Sequence, residues 1–287
     1  MSRSHTGEVS VIIVSWNVRE LLRACLASLY ADLARAGVES RVIVVDSASS
    51  DGTPDMVRAE FPLAELVACG ENVGYVRGNN LGLERNTSSW IWFLNPDTEV
   101  LPGAARTLLD FMAARPRCGL CGPKLVNPDG TLQHGAFEFP GLVQLLLETQ
   151  RPLWRFRGTR LDGRYPPARY ESGEPFRIGH PLGAAMLARA EAVAEVGPLD
   201  PGYEMYAEEV DWAMRMQRAG WERWCVPAAV VKHYGGASSA QAGGRAERAK
   251  WLSRQRYYAR YYPPLKLRLA LRMVPIHYRR KQPEGQD

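Results

Sequence analysis

Residues 90–100 read WIWFLNPDTEV. The first five, aromatic and aliphatic throughout, have the composition of a strand buried on both faces. Pro96 cannot continue a ladder, so the strand ends at Asn95-Pro96-Asp97. Asp97 and Glu99 therefore fall just past its carboxyl end, the edge of an open α/β sheet where ligands bind. Asn95 and Asp97 there form a hard-oxygen set suited to Mg²⁺ or Mn²⁺ carrying a diphosphate. The alternative is a turn whose side chains cap local backbone.

Upstream, residues 9–14 (VSVIIV) form a β-branched run that stops at Ser15-Trp16-Asn17. Residues 19–31 place Leu21, Leu22, Cys25, Leu26 and Leu29 at helical spacing. A second buried run, residues 42–45 (VIVV), ends in Asp46, and Asp51 is placed to cap the helix after it. Residues 66–68 read as a third strand. Strands alternating with helical patterns predict βαβ units on a mainly parallel sheet. A loop rich in Gly and Asn, residues 71–82, precedes the central strand. Its Asn72, Gly74, Gly78, Asn79 and Asn80 are candidates for close approach to a phosphate or sugar, or simply turn residues. The GxGxxG dinucleotide fingerprint is absent.

Downstream, residues 119–127 read as a strand followed by a Pro-Asp-Gly-Thr turn. Residues 138–170 mix Pro, Arg and aromatics without period and read as a variable loop, a lid over the site. Residues 181–189 (PLGAAMLAR, with Gly183) read as a strand flooring a second site. Next, Glu208, Glu209 and Asp211 crowd the start of a helix that carries Trp212. Acids there suit the helix dipole, which is one explanation. Three carboxylates in four residues also repel, which raises a pKa and suits acid–base chemistry. His233 follows a strand over residues 224–231, where a glycine-bearing loop can bring it to a metal.

The 287 residues are 46% hydrophobic, enough for a full core. Five scattered cysteines, one CxxC without a second pair, and no signal-peptide core argue for reduced thiols in a cytoplasm and against zinc. From Arg245 onward there are 12 Lys/Arg against 3 Asp/Glu, a net +9. That leaves −4 of the overall +5 for the preceding residues. A basic, Tyr-rich tail suits peripheral contact with an anionic membrane surface, or a helix packed on the body with solvated charges. No nucleic-acid motif accompanies the charge.

Together these segments resemble the inverting family 2 glycosyltransferases of the GT-A fold, and within them the bacterial rhamnosyltransferase-like members. The resemblance spans about residues 8–262. It implies a Rossmann-like α/β fold with a nucleotide-binding half (8–100), an acceptor half (101–262) and a C-terminal helical extension whose basic tail is 263–287. It implies nucleotide-sugar contacts from Ser15, Asn17, Asp46, the Asn/Gly loop and Asn95. The family's DxD metal element falls on Asn95-Pro96-Asp97, with Asn for the first acid, so Asp97 carries the charge. Its catalytic ED pair falls on Glu208-Glu209, with Glu for Asp at the second position. Its HxxGxS pattern falls on His233 to Ser238, making His233 a second metal candidate. Gly183, Asp211 and Trp212 fall on the acceptor side. The implied reaction takes a dTDP or UDP sugar, with L-rhamnose from dTDP-rhamnose favoured, to a glycan or lipid-linked hydroxyl with Mg²⁺ or Mn²⁺. A nucleotide-sugar-binding module without turnover leaves the acidic cluster unexplained. A nucleotidyltransferase would place a Gly-rich basic loop after the first strand, and SWNVRELL has none.

Overall fold

A computed structural model describes residues 8–156, 159–235 and 244–273. Among these described residues the strands are β1 Val9–Ser15, β2 Ser40–Asp46, β3 Glu65–Ala68, β4 Trp90–Leu94, β5 Thr98–Val100, β6 Cys118–Val126, β7 Leu132–Gln133, β8 Ala136–Phe137, β9 Phe176–Arg177, β10 His180–Pro181, β11 Ala185–Arg189 and β12 Glu222–His233. The helices are α1 Arg19–Ala36, α2 Thr53–Glu60, α3 Gly74–Leu83, α4 Ala104–Ala113, α5 Leu142–Thr149, α6 Pro167–Glu171, α7 Ala190–Val196, α8 Glu208–Arg218, α9 Gly244–Tyr261 and α10 Pro264–Met273.

One sheet joins both halves of the chain in the order β3-β2-β1-β4-β11-β6-β12-β5. Its first four strands are parallel. Beyond β4 it is mixed: β11 runs antiparallel to both neighbours, and β12 runs parallel to β6. The chain moves outward from β1 to β3, then returns to β4 on the other side of β1. This reversal opens a crevice at the carboxyl ends of β1 and β4, the expected ligand position.

Burial on both faces is visible in β4. Trp90, Trp92 and Leu94 pack with α1, α2 and α4 on one face. Ile91 and Phe93 pack with α3, α7, α8 and α9 on the other. Period-2 alternation sends both sets into apolar layers, so the strand reads as continuously hydrophobic. Helix α3 lies close on β1 because two of its positions lack a Cβ. A Cβ at Gly78 would stand 2.7 Å from Val14, and one at Gly82 would stand 2.4 Å from Ile12.

The segment expected to be a loop lid, residues 138–170, is instead largely helical. It contains α5, α6 and two 3₁₀ turns, Arg151–Phe156 and Arg160–Asp162. Its Leu145 shares a cavity with Trp251 and Tyr258 of α9 and Leu267 and Leu271 of α10. Tyr258 and Tyr262 donate to the carbonyls of Gly141 and Pro140 at 3.0 and 2.8 Å, fastening α9 over this segment. Residues Gly236 to Ser238 of the histidine motif, and the tail beyond residue 273, lie outside the described residues. No described helix is long and apolar enough to cross a membrane.

Candidate active site

Three strand ends converge on the crevice. Register pairs Ser15 with Asp46, so β1 and β2 end level. Asp46 is buried, and its Oδ2 accepts from the Ser49 amide at 2.9 Å while Oδ1 has no partner. The hydroxyl of Ser15 is likewise buried and unpartnered. Asn17 takes a left-handed φ of 52° and accepts from the Ser50 amide at 2.8 Å, so it shapes the Ser47–Gly52 loop. Asp51 serves two helices, accepting from the amide of Arg19 at 2.9 Å and of Thr53 at 3.1 Å.

The Asn/Gly loop divides into two roles. Asn72 accepts from the Gly74 amide at 3.0 Å and turns the chain into α3, with Gly74 at φ +72°. The other three serve architecture. Gly78 permits the approach to Val14, Asn79 donates to the Tyr75 carbonyl at 2.9 Å, and Asn80 makes a two-way backbone pair with Leu199 at 2.8 and 3.1 Å. The Asn79 Nδ2 and both polar atoms of the Asn80 side chain thus have partners within the fold.

At the end of β4, the Asn95 amide donates to Ala184 at 2.8 Å and its buried Oδ1 has no partner. Asp97 is buried, and β12 delivers His233 to it through the pairing of His233 with Thr98. The His233 Nε2 stands 3.4 Å from Asp97 Oδ1. Its other nitrogen, Nδ1, lies 2.7 Å from Gln133 Oε1. Gln133 Oε1 can only accept, so Nδ1 carries a proton, and in the neutral imidazole it is the Nε2 lone pair that faces Asp97. A carboxylate oxygen and an imidazole lone pair facing one another, with an orphan amide oxygen nearby, suit a divalent cation. Among the described residues no cluster of three or more His, Cys, Asp or Glu is arranged to hold a metal alone, so oxygens of a bound diphosphate would complete the shell. Glu99 points elsewhere, bound to Lys232 at 3.0 Å and to the Tyr234 hydroxyl.

The acidic pair completes the crevice. Tyr206 and Ala207, both left-handed at φ 67° and 65°, swing the chain into α8. Such strain in non-glycine residues persists only where surrounding structure imposes it. Glu208 is buried, Glu209 half-buried, and each has an unpartnered Oε2. Burial pushes Glu208 well above the carboxylate range, and the neighbouring Glu209 pushes it further. Burial also raises Glu209, opposed by backbone N–H groups at the helix start and by Arg254. A Cβ on Gly183 would stand 3.9 Å from Glu209 Cβ, and Gly183 adjoins the Ala184 that holds Asn95. The pair therefore borders the same crevice as Asn95 and Asp97.

Two neighbours of the site carry no motif in the sequence. Tyr75 donates to the Gly183 carbonyl at 2.8 Å, and burial with Glu208, Glu209 and Asp97 nearby keeps its phenol protonated. It sits inside the Asn/Gly loop, where only its position hinted at a role. Gln133, which orients His233, follows an ordinary turn and gave no signal. Conversely, Asp211 and Trp212 turn inward. Asp211 is fully buried and bound to Arg215 at 2.9 Å, Arg260 at 3.0 Å and Tyr261 at 2.7 Å. Trp212 donates to the Gly197 carbonyl at 2.9 Å and meets Phe93 edge-on.

The family model of glycosyl transferase family 2 matches residues 10–177. The chain belongs to glycosyl transferase family 2. It is 29% identical over 248 residues to the N-acetylglucosaminyl-diphospho-decaprenol L-rhamnosyltransferase of Mycobacterium tuberculosis, covering 80% of this chain and 76% of that one. Its fold is that of GT-A glycosyltransferases. GalNAc-T7, solved with UDP, GalNAc and Mn²⁺, aligns at a TM-score of 0.58 and 17% identity over 79% of this chain and 43% of its own. The Pyrobaculum calidifontis mannosyltransferase PcManGT, solved with GDP-Man and Mn²⁺, aligns at 0.57 and 18% identity over 93% and 68%. The expected fold class and enzyme class thus hold for this family 2 glycosyltransferase.

Proposed function

We propose that this glycosyltransferase moves a sugar, L-rhamnose from dTDP-L-rhamnose in the first instance, onto a hydroxyl of a lipid-linked saccharide with inversion. The observation that carries the reading is a set of buried oxygens without protein partners, at the strand ends (Ser15 Oγ, Asp46 Oδ1, Asn95 Oδ1) and at the start of α8 (Glu208 Oε2, Glu209 Oε2). Buried polar atoms are ordinarily satisfied, and a set left open is a set awaiting a polar ligand. The kinship with a rhamnosyltransferase whose name specifies a diphospho-decaprenol substrate supports the sugar and the acceptor class.

In this reading Asp46 Oδ1 accepts the imide N–H of thymine or uracil, and Ser15 and Asn95 contact the nucleotide sugar. Asp97 and His233 would hold Mg²⁺ or Mn²⁺, which when bound would offset charge on the departing diphosphate. Glu209 removes the acceptor proton as the hydroxyl attacks the anomeric carbon in line. One displacement inverts the centre and needs no covalent enzyme intermediate. Glu208, buried alongside, keeps its proton and leaves Glu209 as the member able to ionise. The basic C-terminal segment contacts an anionic membrane surface on the cytoplasmic side.

Calorimetry across dTDP-, UDP- and GDP-sugars tests the donor. Binding of dTDP-rhamnose, with slow hydrolysis in the absence of acceptor, is expected. Tighter binding of GDP than of dTDP and UDP overturns the donor assignment.

A further inference from the structure

Helices α5, α9 and α10 enclose a furrow that donor binding leaves unused. Leu145, Trp251, Leu267 and Leu271 supply its apolar lining, and Arg268 and Arg272 its basic part, around a cavity of about 480 Å³. The same helices and a neighbouring turn carry exposed large apolar side chains outside the furrow's lining. Val143, Leu161, Leu252 and Leu265 lie on α5, the second 3₁₀ turn, α9 and α10, with Leu265 70% exposed. Single exposures of this kind are ordinary, so the site rests on the furrow itself, an apolar slot with two arginines in its lining.

Helix α9 separates this furrow from the catalytic crevice. Its Trp251, Gln255 and Tyr258 line the furrow, while Ser253 donates to the Met205 carbonyl at 2.8 Å and Tyr261 to Asp211. Its Arg254 acts electrostatically on Glu209 and on His180, both otherwise governed by burial. A helix with its side chains is about 10 Å across. A ligand with a sugar at Glu209, an anionic middle and an apolar end can therefore span the helix, meeting cationic side chains on the way.

We propose that the furrow receives the isoprenoid chain of a lipid-linked diphosphate acceptor. The charge pattern favours this occupant over a neutral lipid: arginines adjoin an apolar slot, which matches a diphosphate joined to a hydrocarbon. This assignment rests on the acceptor class proposed above. Each methylene taken from water is worth about a fourfold gain in affinity, so a few isoprene units suffice for measurable binding.

The test uses the whole chain and dansyl-labelled farnesyl phosphate, read by fluorescence polarisation. Saturable binding is expected, competed by unlabelled farnesyl phosphate and left intact by inorganic diphosphate. Gln255→Trp fills the furrow and Leu271→Asp makes it polar. Each should weaken binding at least about tenfold, the worth of two methylene contacts, while donor hydrolysis is unchanged. Equal affinity in wild type and both variants, or full competition by inorganic diphosphate, overturns the proposal. Sedimentation with anionic vesicles in a protein that does not bind farnesyl phosphate also overturns it, in favour of simple bilayer contact. Nucleotide-sugar binding and hydrolysis separate the two readings. Binding and hydrolysis of dTDP-rhamnose without farnesyl phosphate binding defeats the furrow, and farnesyl phosphate binding without dTDP-rhamnose binding defeats the donor assignment.

Discussion

His233 Nε2 faces Asp97 Oδ1 at 3.4 Å while its Nδ1 is held by Gln133. The distance is too long for a hydrogen bond of good geometry and leaves both atoms able to turn to a shared cation. Asp97→Ala is expected to abolish metal-dependent transfer without unfolding the chain. Gln133→Ala frees the imidazole to take either tautomer. It should weaken Mn²⁺ affinity by about 10–100-fold, the usual effect of removing a supporting contact. Titration of Mn²⁺ by calorimetry checks both variants, and full activity in excess chelator would remove the metal from the scheme.

Gly78 and Gly82 set the distance between α3 and β1. Replacing a helix-interior glycine by alanine ordinarily gains roughly 0.5–1 kcal/mol. Here each new methyl meets a β-branched side chain of β1, at 2.7 Å from Val14 or 2.4 Å from Ile12. Overpacking of this kind costs about 1–3 kcal/mol, so the contact outweighs the propensity gain. Gly78→Ala and Gly82→Ala should both lower the denaturation midpoint in urea. Stabilisation in either would mean that α3 lifts off the sheet freely.

Asp211 sits two residues past Glu209 and joins α8 to α9 through Arg260 and Tyr261. Arg260 is partly exposed, so its share is modest, whereas Arg215 and Asp211 form a buried pair. Removing one partner of a fully buried pair costs about 3–5 kcal/mol, an upper figure here because Arg215 keeps the carbonyls of Val196 and Pro198 as acceptors. Asp211→Ala is therefore expected to destabilise severely and release α9. Tyr261→Phe deletes one hydrogen bond to a charged group, worth about 1.5–3 kcal/mol. It should lower turnover more than donor affinity, since it loosens the α8 start rather than the strand ends. An unchanged protease-cleavage rate in α9 for both variants would refute the clamp.

The strand ends were legible because chemistry and local structure coincide in one short segment. β4 stops where Pro96 stops it, and Asp97 follows at once; β2 likewise runs straight into Asp46. The acidic pair was visible because three carboxylates within four residues at a helix start repel one another; their burial was not. Other assignments depended on where side chains point, which spacing does not fix. Asn79 and Asn80 look like ligand-binding amides, yet α3 turns them onto Tyr75 and Leu199. Asp211 shares a helical turn with Glu209 but projects to the side where α9 docks. The helical content of residues 138–170 was hidden because its apolar partners come from α9 and α10, about a hundred residues on. Gln133 reaches His233 through the pairing of β7 with β6 and of β6 with β12, a relation that exists only in the sheet.

Glu208 and Glu209 share one burial problem, and two measurements separate their roles. Adjacent residues at a helix start point about 100° apart, so one acceptor hydroxyl faces one of them. Glu209 Cβ borders Gly183, which places it toward the crevice floor. Glu209→Gln should keep donor affinity and lose about 10²–10⁴ in turnover, with Glu208→Gln retaining more. Burial raises both carboxyls, so the rate in wild type should rise with pH through an apparent pKa above the ordinary 4.5. Stability moves the other way. A carboxyl whose folded pKa lies above its unfolded value helps the fold fully below the unfolded pKa. That help is lost as pH rises through the folded pKa. At neutral pH the pair therefore burdens the fold, and Glu208→Gln should raise the melting temperature there. The gain should be roughly 2–4 °C for each kcal/mol relieved, and it should vanish near pH 4. Calorimetric melting of both variants from pH 4 to 8, alongside single-turnover transfer, reads both effects. A larger loss of turnover in Glu208→Gln than in Glu209→Gln would move the base to Glu208, and a pH-independent difference in melting would remove the burial of charge as its cause.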